Sequence, residues 1–142
     1  MAHFWPTFWT YFRWSLAFVY KPPFLYATLL FVGSLAASAV FQRPFATERW
    51  RRSYWVVVVQ FFFFVATLAI GAAGPVNHLQ PANRWGRWAV DAVSWISLCL
   101  GSYWVWKMKG SRWFATSVTL LQLWILFAAS FVAGMALTGD WL

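Results

Sequence analysis

Residues 24–41 contain no charged side chain, and further apolar runs follow at 54–73, 88–106 and 113–138. Few folds accommodate such runs. At about 1.5 Å per residue, an eighteen-residue helix is ~27 Å long, just enough for a hydrocarbon core. In lipid the backbone has no water to bond, so each run must satisfy its own N–H and C=O groups as a helix. The same argument overrides local propensity at the four valines of 56–59, a β-branched run that would disfavour a helix in water.

The collars of these runs point the same way. The chain has thirteen tryptophans. The indole ring is apolar with one polar N–H, and it rests most favourably at a membrane–water boundary. Arg52 with Tyr54 and Trp55, Arg87 with Trp88, and Arg112 with Trp113 open three of the runs, and Trp104 and Trp106 close the third before Lys107. With 62% hydrophobic and 10% charged residues, there are too few charges to solvate a small water-soluble domain.

Residues 4–20 read differently. Trp5, Phe8, Trp9, Phe12, Leu16 and Val19 recur at helical spacing, with Thr7, Thr10 and Arg13 on another side. Arg13 in mid-element favours a helix lying in the interface over one crossing the bilayer. Pro22 and Pro23 stop it, because neither can donate the next helical hydrogen bond. The predicted fold is therefore all-α: one integral-membrane domain over 1–142, with four transmembrane helices preceded by an N-terminal amphipathic interfacial helix. The N-terminus lacks a basic segment followed by a small-residue cleavage site, so the spans themselves are expected to target the chain.

Eleven Lys/Arg against three Asp/Glu give a net charge of +8. In a soluble protein this would raise nucleic acid as a partner, but the basic residues lie in the short segments between runs, where cytoplasmic loops and lipid head groups account for them. Positions 43, 49, 51, 52, 107, 109 and 112 fall on one side of the predicted topology, and 13, 21, 84 and 87 on the other. The positive-inside rule then puts the first set in the cytoplasm and both termini outside, as for a protein of a bacterial inner membrane.

Material for chemistry is scarce. Asp91 is the one carboxylate in or beside a predicted span; it sits in a first helical turn, one turn after Arg87, where helix dipole and cation both favour an anion. His78 is a weak candidate ligand for haem or pigment, since it lies in a polar loop without neighbouring Cys, Asp or Glu, and His3 is expected on the same side. Gln60 and Gln122 lie mid-span as hydrogen-bonding glue or as lining of a polar path. Cys99 reads as a small buried hydrophobe. No catalytic constellation or metal motif is visible, and an enzyme is not expected. Small anchors of respiratory and photosynthetic complexes share the chain's size, but no motif ties it to them.

Helices in lipid meet where small side chains let backbones approach. Gly33 with Ala37, Ser34 with Ser38, and Ser130 with Gly134 and Thr138 form such columns, the last, with Ala129 and Ala133 alongside, predicted as the closest helix contact, to a helix of this chain or of a partner. These features point to a non-catalytic accessory subunit of a larger, energy-transducing membrane complex, with lipids and other integral-membrane subunits as partners and with apolar cofactors such as pigment or haem unsupported by any motif. The alternative is a homo-oligomeric channel or proton-coupled carrier lined by Asp91, Ser94 and Ser102 with Gln60 and Gln122.

Overall fold

A computed structural model describes residues 3–22, 24–42, 50–73 and 84–138. They form five helices: α1 (Phe4–Tyr20), α2 (Phe24–Gln42), α3 (Trp50–Ala72), α4 (Arg84–Lys107) and α5 (Arg112–Thr138). The ends fall within four residues of those read from the runs, with α3 and α4 each starting one turn earlier.

α2, the part of α3 from Ser53, and α5 are long and apolar enough to cross a membrane. α4 has 24 residues, ample length, but Arg87, Asp91, Ser94, Ser97 and Ser102 keep it short of the same apolarity. The four expected crossings thus become three apolar helices and one long helix of mixed character.

The chain breaks between α1 and α2 for a local reason. The Phe18 and Val19 carbonyls would ordinarily accept from residues 22 and 23, both prolines without an N–H. Lys21 N–H donates to Phe18 instead, at 3.3 Å. The Thr28 hydroxyl from α2 lies 3.1 Å from the Val19 carbonyl and 3.0 Å from that of Phe24, with its single proton shared between them. Trp124 of α5 then donates its indole N–H to the same hydroxyl at 3.0 Å, tying three helices at one point.

α5 is the centre of the bundle, and each of the other four helices packs on it. α3 runs parallel to it, with Gln60 beside Gln122 and Gly71 beside Ala133. α4 runs antiparallel, meeting it at Gly101 with Thr119, Ser94 with Ser130, and Val90 with Ala133. α2 is also antiparallel: Ser34 and Ser117 hydroxyls lie 2.9 Å apart, and the Gln42 side-chain oxygen accepts the Phe114 N–H at 2.9 Å. That last bond satisfies one of the donors a helix N-terminus leaves open. Among the described residues α2 and α3, successive in sequence, do not pack together; α2 rests on α5 and α1 alone. Gly110, at φ 92°, supplies the left-handed residue that closes the turn from α4 into α5.

α1 lies across the far halves of α3 and α5. Tyr11 joins Phe64, Leu68, Ala72, Ala129, Val132 and Ala136 in one apolar cluster, with Phe4, Phe8 and Phe12 at its edge. The inward stripe is therefore Tyr11, Ser15 and Val19 flanked by those phenylalanines. Trp5 and Trp9, read from sequence as part of the same apolar side, point outward. A wide aromatic face has been divided, one edge against the bundle and the other left open. Burial pushes the Tyr11 phenol above its ordinary pKa, because the charged form loses its solvation.

The bundle is arranged with polar side chains inside. Gln60, Thr67, Ser97 and Ser117 are buried, whereas Leu30, Phe62 and Trp95 are 70%, 66% and 67% exposed. Exposed aromatic residues also gather at both ends. Tyr54, Trp55, Tyr103, Trp106 and Trp113 stand toward one end and Trp85 and Trp88 toward the other, while Trp5, Trp9 and Trp14 are exposed along α1.

Candidate functional site

Two polar features stand out. The first is inside the bundle. The Ser97 hydroxyl of α4 donates to Gln60 Oε1 at 2.8 Å, and Gln122 Nε2 of α5 donates to the Gln60 backbone carbonyl at 2.6 Å. Gln60 is 1% exposed. The Gln122 side chain thus reaches the Gln60 backbone, while the Gln60 side chain takes its bond from a serine of a third helix. Gln60 Nε2 is buried without a hydrogen-bond partner. It lies 3.2 Å from where a Cβ on Gly101 would stand, so a side chain there would press the amide aside by a few tenths of an ångström. Chemically this cluster is an interhelical hydrogen-bonded clasp, each such bond contributing about 0.6 to 2 kcal/mol in lipid.

The second feature is a groove on the surface between α4 and α5, of about 400 Å³, lined by Arg87, Val90, Asp91, Phe127, Ser130, Phe131, Gly134, Met135 and Thr138. Asp91 and Arg87 are exposed, and neither has an ion pair or hydrogen bond among the described residues. The Arg87 partner foreseen for Asp91 is one turn away but not engaged. Ser130 and Ser94 hydroxyls lie 3.3 Å apart at the groove floor, and the Thr138 hydroxyl donates back to the Gly134 carbonyl at 3.1 Å.

The small-residue columns divide sharply. A Cβ on Gly71 would lie 2.7 Å from Ala133 Cβ, and one on Gly101 would overlap the Thr119 methyl. These two are close approaches between helices. Gly134 has no described residue within 4 Å of its would-be Cβ, so Ser130, Gly134 and Thr138 line an open groove and make no tight contact among the described residues. The close contact lies one residue round the same helix, where Ala129 and Ala133 are fully buried. On α2, Ser34 and Ser38 face the bundle, while Gly33 is exposed with open space around it and Ala37 is half-buried. Sequence reasoning missed Gly71 and Gly101, yet Thr67 with Gly71 and Ser97 with Gly101 have the same four-residue spacing as the columns it chose.

Cys99 is exposed on α4, correcting its reading as a buried hydrophobe. His3 is exposed ahead of α1, and its carbonyl accepts from Thr7. His78 lies outside the described residues. Among the described residues no three His, Cys, Asp or Glu side chains cluster as metal ligands would. Comparison of the chain with family models, with curated proteins and with solved structures returns no match.

Proposed function

We propose that the chain is a small polytopic membrane protein acting as a non-catalytic accessory subunit, built to be covered by other membrane chains. The observation that carries this reading is what α2 leaves open. Among the described residues α2 packs on α5 and α1, and its Gly33, with Tyr26, Leu29 and Leu30 nearby, faces away from the bundle with no described residue against it. α4 does the same with Ala92, Trp95, Cys99 and Ser102. Small side chains on outward faces let a second helix come close, and lipid itself gives helices no hydrophobic reason to associate.

In this reading α4 crosses alongside α2, α3 and α5. Support comes from its own collars: Trp88 and Trp106 are separated by eighteen residues, about 27 Å of helix. α1 packs along α3 and α5 between Phe64 and Ala136, and its tryptophans Trp5, Trp9 and Trp14 face outward. The opposite end bears Lys107, Lys109 and Arg112, all exposed, and the positive-inside rule makes that end cytoplasmic.

Cys99, the single cysteine, supplies the experiment. In native membranes a maleimide-based crosslinker at Cys99 should tether the chain to a different protein, and a mild-detergent native gel should show a species larger than the monomer. A free monomer without crosslinks would overturn the proposal. A crosslink only between two copies would favour the homo-oligomeric channel or carrier, in which Asp91→Asn should abolish transport.

A further inference from the structure

We infer that the groove between α4 and α5 is a binding site for a phospholipid whose headgroup carries both a phosphate and a primary ammonium. The inference rests on the membrane reading above. The groove is polar at one end and apolar toward the other. Arg87 and Thr138 stand toward the end of the bundle that bears Trp85 and Trp88, the height at which head groups lie, and Asp91 stands one turn deeper, about level with Phe131. Phe127 lies eleven residues down α5 from Thr138, about 16 Å deeper, with Phe131 and Met135 between. An amphiphile with its head at the boundary and a chain along this wall matches that gradient. About 400 Å³ falls within the range of small-molecule sites.

The headgroup chemistry follows from two charges that do not neutralise each other. Arg87 and Asp91 are one helical turn apart on the same side of α4, both exposed, and without an ion pair among the described residues. A guanidinium matches a phosphate through paired N–H donors. A carboxylate beside it matches an ammonium and repels a second negative group. A wholly anionic lipid would satisfy Arg87 but set its headgroup against Asp91. Gly134 has a structural part in this: with no side chain, and nothing within 4 Å of its would-be Cβ, it leaves the wall open where a chain would lie.

The test is native mass spectrometry of the full chain released from mild detergent, after equilibration with equal amounts of phosphatidylethanolamine and phosphatidylglycerol of identical acyl chains. The wild type should retain the ethanolamine lipid preferentially. Asp91→Asn should lower the ethanolamine-to-glycerol ratio about tenfold, the effect of losing one hydrogen bond to a charged group. Gly134→Leu should remove both lipid adducts. Equal retention of the two lipids, an unchanged ratio in Asp91→Asn, or a lipid-free dimer as the sole species would overturn the site. Should Gly134→Leu not fold, Asp91→Asn alters an exposed side chain and decides the matter alone. Alkaline carbonate extraction separates the two readings. A chain released as soluble overturns both; one retained in the membrane but indifferent to headgroup overturns only this site.

Discussion

Replacing Gly71 with alanine should destabilise the bundle, although the same change in an isolated helix would stabilise it. The added methyl would stand 2.7 Å from Ala133 Cβ and 2.9 Å from Ala133 Cα, against about 3.5–4.0 Å for carbon atoms in favourable contact. Ala133 is fully buried, and one of the two clashing atoms is backbone, so no side-chain rotation relieves the overlap. α3 and α5 would have to part by roughly 1 Å, disturbing the cluster of Leu68, Ala72, Ala129 and Ala136 that joins them to α1. Overpacking of this kind costs about 1–3 kcal/mol. Exchanging glycine for alanine in a helix interior returns about 1 kcal/mol. With backbone in the way the upper part of the overpacking range applies, so the net loss should be about 2 kcal/mol. The assay is reversible unfolding in mixed micelles, followed by circular dichroism. Ala133→Gly alone should also destabilise, through lost propensity and a lost buried methyl. Combined with Gly71→Ala it should restore part of the loss, giving a favourable coupling of at least about 1 kcal/mol. A neutral or stabilising Gly71→Ala, or a double variant that merely adds the two losses, would refute the close approach of α3 and α5.

Thr28→Val should cost about 1–3 kcal/mol, because it strands the Val19 carbonyl and the Trp124 indole N–H together; Thr28→Ser should behave as wild type in the same unfolding assay. Gln122→Leu should cost about 0.6–1.7 kcal/mol by breaking the bond to the Gln60 carbonyl. Gln60→Leu should be milder in that measurement, since removing the bond from Ser97 also removes a buried amide nitrogen without a partner; a larger loss for Gln60→Leu would contradict this. Tyr11 favours its neutral form when folded, so its contribution is full below the unfolded pKa of about 10 and is lost as pH rises through the higher folded value. Melting curves of wild type and Tyr11→Phe should therefore converge in their pH dependence below that range and diverge above it, with the wild type falling faster.

What the sequence determined by itself is whatever a single helix decides alone. Length, absence of charge and the pairing of prolines 22 and 23 are properties of consecutive residues, and they set five helices and the break after Tyr20 without reference to any neighbour. The collars of Arg and Trp are likewise a property of consecutive residues. That Gln60 and Gln122 are mid-helix amides in need of partners is read from the sequence, but which groups they bond, a backbone carbonyl for one and a serine for the other, is not. Which helix sits in the centre was not legible. α5 is as apolar along its length as α2, yet one is surrounded and the other is left open on one side. Nor could the small-residue columns be ranked: Thr67 with Gly71, Ser97 with Gly101, Gly33 with Ala37 and Ser130 with Gly134 are equivalent as spacings. A small side chain is only permission for close approach. Gly71 and Gly101 became contacts because Ala133 and Thr119 arrived opposite them, while Gly33 and Gly134 met nothing among the described residues. That outcome depends on the facing surface of another helix, a property the tertiary structure alone holds.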